Sequence, residues 1–247
     1  MTESSIMNVQ ETINHYLNND LLTKMLDESC YPESLRQWRI EELRMLTEIV
    51  EDVGPAARVV DFGCGDGLHL RALRSRIGFG LGIDIDPAAI ETAQAHEATH
   101  RNRIASSLQY LVASMDDPKI QTATEETMNT ETGNSFFEPF DIAYCMFSTI
   151  LAAIDPGEVF RQMNSLLKLG GVAVVSVYND ASCEDRIGWY TRIGEGKLIE
   201  KTRYHLKFDS GFISGYATLE TAIELFGEEV TIEPCLDFGS FISSKRY

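Results

Sequence analysis

Three glycines at alternate positions, Gly63, Gly65 and Gly67, follow a short apolar run that ends with Asp61 and Phe62. Glycine adopts backbone angles that other residues avoid, and its lack of a side chain lets a ligand approach the peptide groups themselves. In an open parallel sheet, the loop after the first strand lies at the edge where ligands bind. We therefore interpret the segment DFGCGDG as a ligand-binding loop.

The spacing of the glycines indicates which ligand the loop accepts. A dinucleotide-binding loop reads G-x-G-x-x-G and holds a pyrophosphate at a helix N-terminus, whereas this loop reads G-x-G-x-G. Asp61 and Asp66 add negative charge where a pyrophosphate would lie. Asp84 ends the next apolar run, 19 residues after Gly65, where a carboxylate can accept hydrogen bonds from both hydroxyls of a ribose. The pattern predicts a nucleoside without phosphates and disfavours a nicotinamide oxidoreductase.

These residues resemble the first motifs of the class I S-adenosylmethionine-dependent methyltransferases. That family carries an acidic residue followed by G-x-G-x-G after its first strand, which DFGCGDG matches. Its ribose-binding acid after the second strand is matched by Asp84 in GIDID. The resemblance covers residues 59–178, and it implies S-adenosyl-L-methionine as the cofactor and methyl transfer by direct in-line displacement.

The resemblance also implies a set of cofactor-binding residues in the loops after the first four strands. These residues are Asp61, Gly63, Cys64, Gly65, Asp84, Ile85, Ser114, Met115, Cys145 and Met146. The first loop would line the methionine end of the cofactor, Asp84 would hold the ribose, and Ile85 would pack on the adenine. Ser114, where many relatives carry Asp, and Met115 would meet the adenine edge. Cys145 and Met146 would lie beside the sulfonium.

The segment YCMFS after the fourth strand limits the classes of molecule that can accept the methyl group. It lacks the [DN]-P-P-[YF] signature of enzymes that methylate adenine or glutamine, the Pro-Cys nucleophile of cytosine C5 enzymes, and the metal-binding acids of the catechol type. A small-molecule acceptor, methylated on O, N, S or C, remains. Alignment of the reactants is worth about 7 to 11 kcal/mol, so no catalytic acid or base is obligatory. If a base is used, the candidates are Tyr178, Asp180 and His205.

One alternative keeps the fold and changes the function. A catalytically silent protein could bind the same cofactor and serve as a partner of another subunit. An intact glycine loop together with Asp84 argues against this alternative, because a protein that loses activity commonly loses its cofactor loop as well.

Apolar runs alternate with helical patterns along the chain, which is typical of a parallel sheet covered by helices. Helical spacing spans residues 8–29 and 33–53, and Asp86-Pro87 begins a later helix. We expect an α/β fold with a Rossmann-like, doubly wound, mostly parallel seven-stranded sheet and helices on both faces. The predicted single domain, residues 1–247, divides into an N-terminal helical cap (1–53), a cofactor-binding core (57–178), a lid (179–216), and a C-terminal helix with the last two strands (217–247).

Two segments interrupt the alternation. Residues 117–139 are polar and acidic, and we predict a mobile surface loop there. Within residues 179–216, strand-like stretches flank Asp209-Ser210-Gly211 and predict an extended hairpin, whose aromatic residues would cover the acceptor. The alternative is that these aromatic residues pack the hairpin onto the sheet or form a homodimer contact. The N-terminal cap would close over the cofactor through Tyr16 or Tyr31.

Charge and composition disfavour several classes of partner. There are 38 acidic against 21 basic residues, a net charge of -17 that repels nucleic acid. No apolar run approaches the roughly 18 residues of a membrane span, and the first residues lack a signal-peptide pattern, so we expect a cytoplasmic protein without a membrane partner. The five cysteines form no C-x-x-C pair and the histidines no metal-binding pattern. Neither disulfides nor a metal site is expected.

Overall fold

A large mixed sheet forms the centre of the fold. The computed structural model describes residues 24–25, 27–99, 107–132 and 138–246. The strands of the large sheet are β1 (Arg58–Phe62), β2 (Phe79–Asp84), β3 (Ser107–Val112), β4 (Phe140–Cys145), β5 (Leu167–Tyr178), β9 (Thr231–Cys235) and β10 (Gly239–Lys245). Their spatial order is β3-β2-β1-β4-β5-β10-β9. The first five strands in this order are parallel to one another, and β10 is antiparallel to both β5 and β9. The predicted seven-stranded, mostly parallel sheet is confirmed.

Helices precede, connect and follow the parallel strands. They are α1 (Glu33–Val53), α2 (Leu68–Leu73), α3 (Pro87–Ala98), α4 (Ile120–Thr132), α5 (Pro156–Ser165), α6 (Cys183–Arg192) and α7 (Leu219–Phe226). Short 3-10 helices span Glu28–Cys30, Arg74–Arg76 and Thr149–Ala152. Two helix starts follow directly from the sequence, because Asp86 accepts a hydrogen bond from the Ala88 N–H and Asp155 accepts one from the Glu158 N–H, at 2.9 and 3.0 Å.

Each face of the sheet is covered by its own apolar core. Val60 and Val175 face a core completed by residues of α5 and α7. Their neighbours Val59 and Val174 face the opposite core, which residues of α1, α2 and α3 complete. Consecutive strand residues point to opposite faces, so strands buried on both sides read as the continuous apolar runs seen in the sequence. The prediction of helices on both faces is confirmed.

Residues 179–216 fold into α6 and a small antiparallel sheet. Its strands are β6 (Leu198–Lys201), β7 (His205–Phe208) and β8 (Ile213–Gly215), in the order β6-β7-β8. The β7–β8 pair forms a hairpin at the predicted position. The preceding residues do not extend that strand, because the Thr202 hydroxyl oxygen accepts hydrogen bonds from the N–H groups of Tyr204 and His205, at 3.2 and 3.1 Å. This turn reverses the direction of the chain, so the residues before it form β6, a third strand that pairs with β7.

The segment predicted as a mobile loop contains a helix instead. Helix α4 lies within residues 117–139, and Ile120 and Thr124 on one side of it are buried. Two buried positions four residues apart are enough to fix a polar helix against its neighbours, and they produce little apolar periodicity. Most of the predicted helix over residues 8–29 lies outside the described residues, as does Tyr16.

Candidate active site

A cleft with about 1160 Å³ of space, open to solvent, lies at the carboxyl edge of the sheet. The strand order reverses between β1 and β4, the position at which open α/β sheets bind ligands. Two groups of residues line this cleft. The glycine side consists of Gly63, Gly65, Ile83, Asp84, Ile85, Asp86, Ala113, Ser114, Met115 and Asp116. The aromatic side consists of Phe147, Ser148, Tyr178, Tyr190, Ile213, Ser214 and Gly215.

The loop after β1 has no room for a side chain at Gly63. Gly63 and Gly65 adopt left-handed backbone angles, with φ of 71° and 54°. A Cβ atom on Gly63 would lie 2.4 Å from Cγ2 of Thr149, which also lines the cleft. The Gly63 N–H donates to the Ile83 carbonyl at 2.8 Å, which fixes the turn against β2. The loop therefore presents peptide groups to the cleft.

Two backbone N–H groups fix the Asp84 carboxylate. Its Oδ2 accepts a hydrogen bond from Gly65 at 2.7 Å, and its Oδ1 accepts one from Asp86 at 2.9 Å. Burial raises the pKa of Asp84, which these two hydrogen bonds partly oppose. Each carboxylate oxygen keeps a lone pair for a further donor. The carboxylate is thus positioned to accept hydrogen bonds from two neighbouring hydroxyl groups of a ligand.

The loops after β2 and β3 extend the glycine side. Ile85, Ser114 and Met115 all line the cleft, as does Asp116, which the sequence analysis did not single out. The Asp116 N–H donates to the Ser114 hydroxyl at 3.2 Å, and the Asp116 carboxylate accepts from the Ile154 N–H at 2.9 Å. Asp116 therefore supplies a carboxylate on the loop where the sequence places Ser114 instead of Asp.

Four predicted cofactor residues lie behind the cleft surface: Asp61, Cys64, Cys145 and Met146. Asp61 is 1% exposed, and its carboxyl lies beside the Tyr144 hydroxyl. Burial raises the pKa of Asp61 well above its usual range, and the negative charges of Asp84 and Glu42 raise it further. The hydrogen bond from Tyr144 lowers the pKa of Asp61 in part. Cys145 and Met146 pack into the cores on opposite faces of the sheet. Their side chains support the cleft wall without forming it.

A strained turn after β4 brings the next residues into the cleft. Phe147 and Ser148 have φ angles of 61° and 58°, in a region that residues other than glycine rarely occupy. Glu42 of α1 holds this turn, since its Oε1 accepts hydrogen bonds from the Phe147 N–H, at 2.7 Å, and from the Ser176 hydroxyl. Glu42 is completely buried, and burial raises its pKa. A carboxylate from the N-terminal helix therefore shapes the aromatic side.

The three candidate bases occupy different places. Tyr178 lines the cleft, is 2% exposed, and has no hydrogen-bond partner for its hydroxyl group within the described part of the chain. Burial raises the pKa of Tyr178 well above its usual range, so its phenol stays protonated. His205 lies on β7, where its Nδ1 is 3.2 Å from the Thr202 hydroxyl, and it does not line the cleft. Asp180 is exposed and also lies off the cleft.

Glu42 and Arg186 are two buried charged residues next to the aromatic side that were not predicted from the sequence. Each lies on the apolar stripe of its helix. The buried residues of α1 are Leu35, Trp38, Glu42, Leu46 and Val50, and those of α6 are Cys183, Arg186, Trp189 and Tyr190. A charged residue at an apolar position of a helical repeat was the available signal, because burying a charge is costly unless other groups compensate it.

Two further features concern membranes and metals. Within the described residues, no helix has the length and apolar composition needed to cross a membrane. The same residues contain no group of three or more Cys, His, Asp or Glu side chains arranged to hold a metal ion.

Comparisons with known proteins identify the family. A family described as a methyltransferase domain matches residues 20–222. A ubiquinone biosynthesis O-methyltransferase of Xanthomonas campestris pv. campestris (strain B100) is 30% identical over 156 residues, which are 62% of this chain and 56% of the relative. One from Caulobacter vibrioides is 32% identical over 122 residues, 49% of this chain and 40% of the relative. The chain spans about half the length of the curated relatives it matches.

Solved structures share the fold at low sequence identity. The N-methyltransferase NodS from Bradyrhizobium japonicum WM9, in complex with S-adenosyl-L-homocysteine, has a TM-score of 0.55 and 16% identity, covering 96% of this chain and 97% of its own. Magnesium protoporphyrin IX methyltransferase from Synechocystis PCC 6803, with bound S-adenosylmethionine, has a TM-score of 0.55 and 10% identity, covering 98% and 99%. Because the family match includes the glycine loop and spans most of the chain, this protein belongs to the class I S-adenosylmethionine-dependent methyltransferases.

Proposed function

We propose that the protein transfers the methyl group of S-adenosylmethionine to an oxygen atom of a small-molecule acceptor. The observation that carries this proposal is the Asp84 carboxylate, held by two N–H groups beside a glycine loop that leaves its peptides open to the cleft. The names of the curated relatives, O-methyltransferases of about 30% identity, support oxygen as the acceptor atom.

The residues of the glycine side fit this cofactor. Asp84 would accept hydrogen bonds from the ribose hydroxyls, Ile85 and Met115 would pack on the adenine, and Gly63 and Gly65 would contact the methionine part. A Cβ atom on Gly63 would clash with Thr149 and take up space at this part of the cleft. The carboxyl of Asp61 lies buried behind the loop with a raised pKa, and a positively charged ligand in the cleft would favour its ionised form.

In-line transfer requires alignment more than acid–base chemistry. When bound, S-adenosylmethionine supplies a methyl group whose bond to sulfur breaks as an oxygen lone pair of the acceptor forms the new bond to carbon, so that S-adenosylhomocysteine leaves as the thioether and the hydroxyl proton of the acceptor passes to solvent. The rings of Phe147, Tyr178 and Tyr190 would exclude water and hold the acceptor in line. Tyr178 keeps its proton, so we assign it the role of a hydrogen-bond donor to the acceptor and not that of a base.

We also propose that the whole chain acts as one methyltransferase domain in which residues 179–216 cover the acceptor. Tyr190, Ile213 and Ser214 of this segment line the cleft, which supports the proposal. The five cysteines of the chain are free thiols, which is typical of proteins in the reducing conditions of the cytoplasm, and we propose that location for this protein.

Calorimetry with three ligands that contain adenosine tests the proposed function. We expect S-adenosylmethionine and S-adenosylhomocysteine to bind with micromolar dissociation constants, equivalent to about 8 kcal/mol, and NAD not to bind. Incubation with labelled S-adenosylmethionine and a panel of phenols and alcohols should then give methyl ethers, detected by mass spectrometry. Tighter binding of NAD would exclude the proposal, and methylation confined to amines or thiols would correct the acceptor atom.

A further inference from the structure

Arg186 is a completely buried cation behind the aromatic side of the cleft. It lies on α6 and is 0% exposed. Its Nη2 donates hydrogen bonds to the Ser214 hydroxyl and to the Gly215 carbonyl, the latter at 2.8 Å. Its Nη1 lies 3.4 Å from the Ser182 hydroxyl. All these partners are neutral, and two of them, Ser214 and Gly215, line the cleft.

No carboxylate of the described residues lies within ion-pair distance of Arg186, and its buried Nε has no hydrogen-bond partner there. Instead, its guanidinium carbon lies 4.3 Å from the ring centroid of Tyr178 and about 6 Å from those of Tyr190 and Tyr216. Such contacts stabilise a buried cation only in part. A buried positive charge without a negative partner costs free energy, and this indicates that an anion binds next to Arg186 in the functional complex.

Hydroxyl groups connect Arg186 to the cleft. The Ser214 hydroxyl oxygen, which accepts from Arg186, lies 2.8 Å from the Tyr190 hydroxyl oxygen. Ser214 and Tyr190 carry two hydroxyl protons, and only one can lie between the two oxygens. The second proton is free for a ligand, and the donation from Arg186 strengthens it as a donor. The unpartnered hydroxyl of Tyr178 adds another donor on the same side of the cleft.

We propose that the acceptor carries a carboxylate, which binds to the hydroxyls of Tyr178, Tyr190 and Ser214 with Arg186 as its buried counter-charge. This inference deepens the proposed function and rests on it. One guanidinium offsets one negative charge, which fits a carboxylate better than a doubly charged phosphate. The carboxylate serves recognition, and the methyl group goes to a different oxygen of the same molecule.

Matched aromatic probes test this site. Protein saturated with S-adenosylhomocysteine is titrated with benzoate and 4-hydroxybenzoate, and with benzamide and phenol as neutral analogues. We expect the carboxylates to bind at least ten times more tightly than the neutral probes. Arg186→Gln should weaken benzoate binding by roughly ten- to a hundredfold, the range of a hydrogen bond to a charged group, and leave benzamide binding unchanged.

Controls separate the charge of Arg186 from its structural role. Arg192→Gln removes an exposed arginine from the same helix and should keep the preference for benzoate. Ser214→Ala leaves Arg186 in place and should reduce that preference by several-fold, which keeps the test informative if Arg186→Gln fails to fold. Equal binding of benzoate and benzamide, tighter binding of phenol, or an unchanged preference in a folded Arg186→Gln variant overturns the carboxylate site. If the unmutated protein does not bind S-adenosylhomocysteine, the proposed function itself is overturned.

Discussion

The two sides of the cleft are built in different ways. The glycine side consists of backbone turns and of Asp84, whose carboxylate is held by N–H groups of neighbouring loops. The aromatic side consists of residues from the turn after β4, β5, α6 and β8, and the buried side chains of Glu42 and Arg186 hold it from behind. We therefore expect the glycine side to be sensitive to any added side chain, and the aromatic side to be sensitive to the loss of a charge or a hydroxyl group.

Adding one carbon to the glycine loop should have the largest effect. In Gly63→Ala, the left-handed angle costs about 1–2 kcal/mol and the new methyl group displaces Thr149, so we expect S-adenosylhomocysteine affinity to fall about a hundredfold. Isothermal titration calorimetry measures this change. Gly54→Ala is the matched control, because Gly54 has φ of 101° and no atom within 4 Å of the added Cβ position. It should lower the melting temperature and leave cofactor affinity unchanged. Equal losses of cofactor affinity in both variants would show that Gly63 does not contact the cofactor.

Removing the charge of Asp84 should weaken the glycine side next. A hydrogen bond to a charged group contributes roughly 1.5–3 kcal/mol, so Asp84→Ala should reduce cofactor affinity by about ten- to a hundredfold. Asp117→Ala provides the control, since Asp117 is an exposed acid that accepts a hydrogen bond from the Lys119 N–H. An unchanged dissociation constant for Asp84→Ala would remove this carboxylate from the cofactor site.

Glu42 tests whether the turn after β4 positions the acceptor. Glu42→Leu removes the acceptor of the Phe147 N–H and should lower kcat by about tenfold or more, as misalignment does, with cofactor affinity within about twofold. Glu42→Gln retains a carbonyl oxygen at that position and should restore most of the activity. Glu48→Leu, an exposed change on the same helix, is the control. If Glu42→Gln loses as much kcat as Glu42→Leu, the hydrogen bond to the turn is not what matters.

The smallest expected effect separates residues on the cleft from residues beside it. Tyr190→Phe removes one hydroxyl and should raise the acceptor KM by only about two- to tenfold, because the neighbouring Ser214 hydroxyl remains free to donate in its place. Tyr204 and His205 lie in the same segment but do not line the cleft, so Tyr204→Phe and His205→Ala should leave kcat and the acceptor KM unchanged. A change in turnover for His205→Ala, with the melting temperature preserved, would return His205 to the list of bases.

Short-range patterns predicted the parts of this protein that depend on neighbouring residues. The glycine loop, the cap at Asp86 and the alternation of strands with helices all follow from spacings of a few residues, and the structure contains each of them. The left-handed turn at Phe147 was not predictable, because its stability comes from Glu42, which is 105 residues away. Helix α4 was missed for a different reason, since within its residues 120–127 only Ile120 and Thr124 are buried, and its apolar pattern is weak.

The buried carboxyl groups of Glu42, Asp61 and Asp84 have a consequence for the way this protein responds to acid. Burial raises the pKa of each, so all three hold protons more tightly than they do in the unfolded chain. Acidification through that pH range therefore stabilises the fold at these groups. A positively charged ligand lowers the same pKa values, so its binding releases protons and weakens as the pH falls. The measured heat of binding should consequently depend on the ionisation enthalpy of the buffer.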